Sequence, residues 1–342
     1  MSSTKPKSIA VIGASGYTGM EVIRYLLGCP QFEISVIVGN RTAGSVYSAI
    51  YPAFSGIVDL VVQGSESISS LSTDAVVLAL PHGKSMHVVK QLLDSGYQGK
   101  IVDMGSDFRL KSSAEYQKWY KKEPIDSSML AKSVYGLIDF NENQIKDADL
   151  VANPGCFASA IQLGLLPLLE AGVKGPFHVT GLTGASGSGV SPSVGTHFPG
   201  RDGNIKAYKV LEHQHLGEVF GQIESSGYAR PEIVFTPVSA PITRGIWISI
   251  SFLSEGKDVG KTFERAYSGK SLVRLRSGLP NLKDVTGTAF TDVGWVERGD
   301  AAVVGVAIDN LGKGAAGQAI QNLNVMFGYP DDMGLKHVGN VL

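Results

Sequence analysis

The chain has 342 residues, with Lys and Arg totalling 30 against 31 Asp and Glu, which gives a net charge of −1. This balance excludes the basic excess typical of nucleic-acid-binding proteins and of chains held on anionic membranes. With 43% hydrophobic and 18% charged residues, the composition is not that of a disordered chain. No apolar stretch reaches the ~18 residues of a membrane helix, and no signal-peptide pattern is present. We therefore expect a cytoplasmic protein of about two domains.

The first part of the chain alternates short apolar strands with helical patterns, which predicts an α/β, doubly wound parallel sheet. We interpret residues 1–155 as a nucleotide-binding domain, to which 313–342 return through a helix at 314–328. Strands are predicted at 8–13, 32–40, 74–83, 99–110 and 148–155, and helices at 20–28 and 85–95.

After residue 155 the pattern changes to longer β-rich stretches that follow a single helix at 158–172. These stretches predict a mixed or antiparallel sheet in a second, α+β domain. We interpret residues 156–312 as the catalytic and oligomerisation domain. The β-rich stretches are 177–184, 232–253 and 289–310.

A glycine-rich turn follows the first predicted strand and precedes the first helix. Gly13, Gly16 and Gly19 have the spacing G-x-x-G-x-x-G, which permits a sharp turn and a close approach of bare backbone to a pyrophosphate. The helix N-terminus beyond it favours an anion. The alternative is a purely structural strand–helix turn. The predicted cofactor-binding residues of this loop are Gly13, Ser15, Gly16, Tyr17, Thr18 and Gly19.

The end of the second predicted strand indicates which cofactor is bound. An NAD site places a carboxylate there to hold the ribose 2′-hydroxyl, whereas an arginine accommodates a 2′-phosphate. Residues 38–44 contain no Asp or Glu, and Asn40 and Arg41 stand there instead. We therefore predict NADP(H), with Arg41 as a ligand; the alternative for Arg41 is a solvated loop arginine.

The two cysteines stand in different sequence contexts. Cys156 follows Asn-Pro-Gly at a strand end and directly precedes the helix at 158–172. A thiol at a helix N-terminus is more acidic and more nucleophilic than a free thiol, so Cys156 is a candidate nucleophile beside a nicotinamide. Cys29 has no such neighbourhood, and we interpret it as structural. A buried structural role is the alternative for Cys156 as well.

Several motifs in the same order identify a family resemblance over roughly residues 8–330. The chain resembles the N-acetyl-gamma-glutamyl-phosphate reductases, which are close to aspartate-semialdehyde dehydrogenases in fold. The motifs are GASGYTG (13–19), LPHG (80–83), DFRL (107–110), VYGL (134–137), ANPGC (152–156), HQHLGEV (213–219) and NLGKGAAGQAIQNLN (310–324).

The resemblance implies roles for the polar residues in two of these motifs. Cys156 is implied as the nucleophile and His213 as its acid/base partner, with His215 and Glu218 supporting His213. His215 and Glu218 are three residues apart, so a helix beginning here would place them on one face. The H-x-H pattern also leaves a structural or a metal-binding interpretation open. No further ligand cluster completes a metal site, so we predict no metal.

Two further residues are assigned by the same resemblance. Arg109 in DFRL is implied to bind an anionic part of the substrate, with a strand-end salt bridge as the alternative. Asn310 is implied to reach the nicotinamide, and it also suits a helix N-cap. His82 is expected near the cofactor edge, and Tyr208 is assigned no role.

The implied activity is the NADPH-dependent reductive dephosphorylation of N-acetyl-gamma-glutamyl phosphate to N-acetylglutamate semialdehyde, through a cysteine thioester, in arginine biosynthesis. The resemblance also implies a homodimer or homotetramer. One alternative is a related acyl-phosphate reductase, acting on aminoadipyl phosphate in lysine biosynthesis or as an aspartate-semialdehyde dehydrogenase. The other is a non-catalytic NADP-sensing protein, which would bind the cofactor without turnover.

Overall fold

The computed structural model describes residues 5–339, so the outer limits of the predicted domains, 1 and 342, lie outside the described residues. The chain forms two compact units. The first unit comprises the chain up to Tyr116, Lys122–Asn153 and Ala316–Leu335, and the second comprises Gln117–Lys121, Pro154–Ala315 and the chain from Lys336 onward.

The helices and strands alternate along most of the chain. Within residues 5–339 the strands are β1 Lys7–Ile12, β2 Phe32–Val38, β3 Ala75–Leu78, β4 Lys100–Asp103, β5 Val134–Tyr135, β6 Leu150–Ala152, β7 Phe177–Thr183, β8 Lys206–Ala207, β9 Ile233–Ser239, β10 Ile246–Leu253, β11 Val273–Ser277, β12 Thr291–Arg298 and β13 Ala301–Ile308. The α-helices of the same range are α1 Tyr17–Leu27, α2 Tyr47–Ile50, α3 Ser85–Asp94, α4 Ser113–Tyr120, α5 Ser127–Leu130, α6 Ile138–Lys146, α7 Cys156–Glu170, α8 Phe198–Arg201, α9 His215–Ser225, α10 Val259–Ala266 and α11 Gly317–Met326.

The first unit contains a six-stranded sheet in the order β2-β1-β3-β4-β6-β5, and every neighbouring pair is parallel. Strand β3 is buried on both faces, which explains why its sequence is a continuous apolar run rather than an alternating one. Helix α11 packs against α1, α6 and β4 of this unit. The prediction of a doubly wound parallel sheet is confirmed.

The second unit contains a seven-stranded sheet in the order β11-β12-β13-β10-β7-β9-β8. The pairs β7–β9 and β11–β12 are parallel and the others antiparallel, so the predicted mixed sheet is confirmed. Along β10 buried residues alternate with half-buried ones, because only one face packs against helices such as α7. None of the helices in the described part of the chain is long and apolar enough to cross a membrane.

Three predicted helices begin at other residues in the structure. Helix α1 begins at Tyr17 rather than at residue 20. Helix α7 begins at Cys156 itself, with Gly155 as its N-cap, rather than at residue 158. The predicted C-terminal helix is divided into a π-helical turn at Gly312–Ala316 and α11. A π-helical turn is a local widening of the helix that is frequent at functional sites.

Candidate functional site

The glycine loop of the first unit has a shape that only glycine permits at two positions. Gly13 has a φ of +87°, and a Cβ atom there would clash with the carbonyl oxygen of Ala79. A Cβ atom on Gly19 would clash with the carbonyl oxygen of Gly13, because α1 starts directly against the loop. The turn that joins β1 to α1 therefore depends on this spacing.

The middle of the loop fits a dinucleotide phosphate. A Cβ atom on Gly16 would meet only the carbonyl oxygen of Gly13, at 3.7 Å, so the approach to its backbone is open. Gly16 is the N-cap of α1, and the first turn of that helix has neither a side-chain cap nor an acidic residue. Ser15, Tyr17 and Thr18 are half-buried around it. The positive end of the helix is thus presented to an anion.

Two tyrosines that the motif does not contain hold the loop in place. The Tyr47 hydroxyl donates to the carbonyl oxygen of Ala14 at 3.1 Å, and the Tyr51 hydroxyl donates to that of Ser15 at 2.8 Å. The tyrosines lie 33 and 36 residues after the groups to which they donate, so no local sequence pattern predicts these bonds. They satisfy carbonyl groups that the turn would otherwise leave without a partner.

Asn40 and Arg41 are exposed and lie just beyond the end of β2. Gly39 precedes them, and its N–H donates to the carbonyl oxygen of Gln63 at 3.0 Å. The guanidinium of Arg41 is therefore carried on a loop at the same sheet edge as the glycine loop. Its selection of a 2′-phosphate stays a prediction.

The DFRL motif lies where β4 ends and contacts the LPHG motif that follows β3. Asp107 is fully buried and accepts hydrogen bonds from the N–H groups of Gly83, at 2.6 Å, and Met86, at 3.1 Å. It also lies 3.2 Å from Nδ1 of His82. Burial raises the pKa of Asp107, but these hydrogen bonds outweigh it and hold the pKa below its ordinary value.

Arg109 lies at the same sheet edge, where its Nη2 donates to the carbonyl oxygen of Met104 at 2.8 Å. The residue remains partly exposed. This bond fixes the guanidinium beside the carboxyl end of β4, which is the end of a parallel strand where ligands bind in open α/β sheets. A substrate contact for Arg109 stays a prediction.

Cys156 is the first residue of α7 in the second unit, and a neighbouring carboxylate fixes the backbone before it. Oε2 of the buried Glu218 accepts a hydrogen bond from the Gly155 N–H at 2.8 Å, while Gln162 donates to the Glu218 carbonyl oxygen at 3.1 Å. A Cβ atom on Gly314 would stand 2.8 Å from Cβ of Cys156, so the π-helical turn passes close to the cysteine. The thiol is thus placed at a positive helix end in a rigid frame.

The two histidines and the glutamate of HQHLGEV lie close together, although α9 begins at His215 and His213 precedes it. The imidazole rings of His213 and His215 have centroids 4.7 Å apart, and Nε2 of His215 lies 3.9 Å from Oε1 of Glu218. The sequence spacing predicted this proximity for His215 and Glu218 on one helix face. For His213 it follows from the turn before the helix.

The surroundings of His213 determine its charge and its tautomer. Burial, together with smaller effects of the neighbouring His215 and Lys209, lowers the pKa of His213 to about 3. Nδ1 accepts a hydrogen bond from the His215 N–H at 3.2 Å, so the proton of the neutral ring is on Nε2. His213 is consequently a neutral group that offers a hydrogen-bond donor at Nε2.

Aromatic rings surround this histidine. The rings of Phe157, Tyr208 and Phe235 contact it edge-on at centroid distances of 5.5, 5.7 and 5.7 Å. Burial and the nearby Cys156 raise the pKa of the Tyr208 phenol. Tyr208, to which sequence analysis assigns no role, therefore lies beside both predicted catalytic residues.

Asn310 is held by its own unit through both ends of its amide. Its Oδ1 accepts a hydrogen bond from the Gly245 N–H at 2.7 Å, and its Nδ2 donates to Ser186 Oγ at 3.0 Å. The capping role considered for Asn310 belongs to its neighbour, because Asp309 accepts from the N–H groups of Leu311 and Gly312, each at 2.8 Å. A contact of Asn310 with nicotinamide stays a prediction.

The predicted site residues are divided between the units. Among the described residues, no three His, Cys, Asp or Glu side chains are grouped as a metal site. Cys29 is buried in the first unit, and burial raises the pKa of its thiol to about 12, which suits a structural role. The first unit carries Gly13, Ser15, Gly16, Tyr17, Thr18, Gly19, Arg41 and Arg109, and the second carries Cys156, His213, His215, Glu218 and Asn310.

Comparison with known families assigns each part of the chain to a recognised domain. Residues 8–148 match the semialdehyde dehydrogenase NAD-binding domain, and residues 156–310 match the semialdehyde dehydrogenase dimerisation domain. Among solved structures, aspartate semialdehyde dehydrogenase II of Vibrio cholerae has a TM-score of 0.72 at 16% identity, over 95% of this chain and 99% of that one. The aspartate semialdehyde dehydrogenase of Candida albicans, solved with NADP, has a TM-score of 0.67 at 18% identity, over 94% of this chain and 99% of that one. These likenesses establish the fold.

Other known proteins have higher sequence identity to this chain than these solved structures have. An N-acetyl-gamma-glutamyl-phosphate reductase of Halothermothrix orenii is 38% identical over 97% of this chain and 98% of its own. The protein of that name from Methanosphaera stadtmanae is 37% identical over 97% of this chain and 98% of its own length. The one from Nitrosomonas europaea is 35% identical over 96% of this chain and 97% of its own length. Identity of this extent over both units shows that the chain belongs to the N-acetyl-gamma-glutamyl-phosphate reductase family of oxidoreductases.

Proposed function

We propose that this protein reduces N-acetyl-gamma-glutamyl phosphate to N-acetylglutamate semialdehyde with NADPH and releases inorganic phosphate, as a cytoplasmic step of arginine biosynthesis. The observation that carries the proposal is the position of Cys156 as the first residue of α7, with the preceding peptide fixed by Glu218. A thiolate there is stabilised by the helix dipole and is placed for attack on an acyl group.

The reaction begins when the Cys156 sulfur attacks the acyl carbon of the substrate. A C–S bond forms, the bond between the acyl carbon and the phosphate oxygen breaks, and phosphate leaves. NADPH, when bound, would supply a hydride to the thioester carbon, whose oxygen would then carry the negative charge of a tetrahedral thiohemiacetal anion. The C–S bond then breaks, which releases the aldehyde and regenerates the thiolate.

His213 acts on the oxygen of the reacting acyl group. Its neutral ring offers the Nε2 hydrogen to this oxygen as negative charge develops on it, which is the arrangement that stabilises such a transition state. Transfer of a proton through His213, as the resemblance implies, requires the His215 N–H to leave Nδ1, because a protonated ring has no acceptor. His215 and Glu218 support the position of this ring.

The roles of the two domains and of the remaining site residues are assigned according to the unit in which each residue lies. We assign the cofactor domain to the first unit, and the catalytic domain and the contacts of a homodimer or homotetramer to the second unit. The glycine loop holds the cofactor pyrophosphate, Arg41 holds the 2′-phosphate of NADP, and Asn310 contacts the nicotinamide. Arg109 binds an anionic group of the substrate, since its guanidinium is fixed at a sheet edge.

The test is the reverse reaction, measured as NADPH formation from N-acetylglutamate semialdehyde, NADP and phosphate. We expect activity in the unmodified protein and its loss in Cys156→Ala, whereas the matched Cys29→Ala variant retains it. Full activity in Cys156→Ala would contradict the thioester mechanism. Activity only with aminoadipate semialdehyde or aspartate semialdehyde would reassign the substrate, and cofactor binding without turnover of any aldehyde would indicate a sensing protein.

A further inference from the structure

The last residue of β4, Asp103, is a fully buried carboxylate that the site described above does not include. Its Oδ1 accepts a hydrogen bond from the N–H of Gly105 at 2.9 Å. A Cβ atom on Gly105 would clash with the Ser85 hydroxyl and would stand 3.0 Å from the same Oδ1, so this peptide lies directly against the carboxylate. Burying a carboxylate costs free energy unless hydrogen bonds offset the loss of water, and this bond is one that does so.

The peptide group that Asp103 holds is also the one that contacts Arg109. The Gly105 N–H and the Met104 carbonyl belong to a single trans peptide group. The oxygen of that carbonyl accepts a hydrogen bond from Nη2 of Arg109 at 2.8 Å. Because a trans peptide is planar, its N–H and C=O point in opposite directions. Fixing the N–H on the carboxylate therefore fixes the direction in which the carbonyl oxygen meets the guanidinium.

The orientation of this peptide depends on the side chain of Asp103, because it is the first peptide beyond the sheet. In the peptide before it, the carbonyl oxygen of Asp103 accepts from the Asn153 N–H at 2.7 Å. The Met104 N–H of that same preceding peptide donates to the carbonyl oxygen of Leu78 at 2.9 Å. Rotation of the next peptide changes φ of Gly105, and glycine tolerates both signs of φ. The hydrogen bond from Gly105 to Asp103 is thus the contact that selects one orientation.

This hydrogen bond needs an oxygen acceptor but not a negative charge. Burial raises the pKa of Asp103 to about 6, and the nearby Asp107 also raises it. Contacts with Ser85 and Gly105 and the charge of Arg109 offset this only in part. Oδ1 can accept from the Gly105 N–H in the ionised and in the neutral carboxyl group alike, so the side-chain oxygen of an asparagine can take its place.

We propose that Asp103 is a positioning residue for substrate binding, which holds the Met104–Gly105 peptide so that its carbonyl oxygen fixes the guanidinium of Arg109 where the anionic group of the substrate binds. The inference rests on the function proposed above, because the contact of Arg109 with the substrate is part of that function. Asp103 has no exposed surface, so it acts only through the peptide and Arg109. The affinity for the anion then depends on a carboxyl group that the substrate does not touch.

The test compares variants that remove the acceptor with one that keeps it. Asp103→Ala and Asp103→Val both remove it, and valine fills the volume that alanine leaves empty, which preserves the packing around the site. Asp103→Asn keeps Oδ1. Asp74→Ala is the matched control, since Asp74 accepts from the Ser8 N–H at 2.8 Å just before β3, at the amino ends of the strands. Circular dichroism establishes that each variant is folded.

Steady-state kinetics of the reverse reaction give a KM for the aldehyde, a KM for phosphate and kcat. Arg109→Ala identifies which KM depends on the guanidinium. We expect Asp103→Ala and Asp103→Val to raise that same KM at least about fivefold, because a hydrogen bond to a charged group is weakened. The other KM and kcat should remain within about twofold of those of the unmodified protein. In an Arg109→Ala background the Asp103 substitutions should add nothing.

Asp103→Asn and Asp74→Ala should leave all three constants close to those of the unmodified protein. An unchanged KM in both Asp103→Ala and Asp103→Val would overturn the inference. So would a rise in both KM values together with a fall in kcat, which indicates a general structural defect. Full additivity with Arg109→Ala would also overturn it, because Asp103 would then not act through Arg109.

Failure of the proposed function gives a different result. If Arg109→Ala itself changes neither KM, the inference fails while the role of Cys156 stands. If the unmodified protein turns over no aldehyde, the proposed function fails, and calorimetric titration with inorganic phosphate, which needs no turnover, decides the inference. Unless Arg109→Ala and Asp103→Ala both weaken phosphate binding in that titration, the inference is overturned as well.

Discussion

Glu218 and Gly155 are joined by a hydrogen bond of 2.8 Å, from the peptide N–H that precedes Cys156 to a carboxylate buried on α9. The bond fixes the start of α7 to the helix whose first residue is His215. One carboxylate thereby contacts both the peptide before Cys156 and the imidazole of His215. Such preorganisation is what catalysis requires of groups around the reacting atoms.

Replacement of Glu218 tests this arrangement. We expect Glu218→Ala to lower the free energy of unfolding by about 1–3 kcal/mol, because a buried N–H donor loses its acceptor. The turnover number should fall further than this loss of folded protein explains. Glu218→Gln keeps an oxygen that accepts from Gly155 and should retain most of both quantities. Urea unfolding and steady-state kinetics on the two variants measure the difference; equal kinetics in Ala and Gln would contradict a positioning role.

The pH dependence of stability reports on His213. Its pKa is about 3 in the folded protein, against ~6.5 in an unfolded chain, because burial disfavours the charged ring. The unfolded chain therefore binds more protons between these values, so this contribution to stability is complete above about pH 6.5 and is lost as the pH falls toward 3.

His213→Gln should remove that contribution. We expect its free energy of unfolding to change less steeply than that of the unmodified protein between pH 7 and pH 4, as measured by urea unfolding at each pH. The matched control is His87→Gln, at an exposed histidine of α3, which should follow the unmodified protein. An unchanged slope in His213→Gln would mean that His213 titrates normally in the folded state.

Local sequence signals predicted the parts of the fold and of the candidate site that depend on neighbouring residues. The spacing of Gly13 and Gly19 predicts a strand–helix turn, and Asn-Pro-Gly before Cys156 predicts a helix start. The two-residue strand β5 was not predicted, because it is an edge strand that owes its conformation to pairing with β6. Propensity has little weight over so short a stretch.

Contacts between residues that are distant in the chain could not be predicted from local sequence patterns. Glu218 and Gly155 are separated by 63 residues, and the Tyr51 hydroxyl reaches back 36 residues to Ser15. Lys209 and Leu211 have positive φ values, and neither position is a glycine, the residue by which such a turn is recognised in a sequence. Each of these features results from tertiary packing that overrides local preference.

Arg41 provides a test of cofactor choice. If its guanidinium binds the 2′-phosphate of NADP, Arg41→Ala should raise the KM for NADPH roughly tenfold or more, since a hydrogen bond between charged groups contributes about 1.5–3 kcal/mol. The KM for NADH should change little, because NADH lacks that phosphate. Lys132→Ala, at another exposed cation of the first unit, is the control. Equal effects on the two cofactors would remove Arg41 from the specificity site.

Asp309 is the buried carboxylate on which the backbone around Asn310 depends. It accepts from Arg244 at 3.0 and 3.1 Å and from the N–H groups of Gly287, Leu311 and Gly312 at 2.6–2.8 Å. An asparagine of the same size keeps one acceptor but turns an amide N–H₂ toward these donors. We expect Asp309→Asn to lower the free energy of unfolding by about 3–5 kcal/mol, as for a buried ion pair that loses one partner.

The matched control for this variant is Asp300→Asn, in an exposed turn where the carboxylate accepts from Ser254 and from the Gly256 N–H. An exposed polar contact contributes at most about 1 kcal/mol, so this variant should remain close to the unmodified protein. Urea unfolding at low and at high salt separates the two sites further, because salt screens exposed charges but not the buried Asp309. A loss in Asp309→Asn no larger than that in Asp300→Asn would show that the backbone at Asn310 is held without this carboxylate.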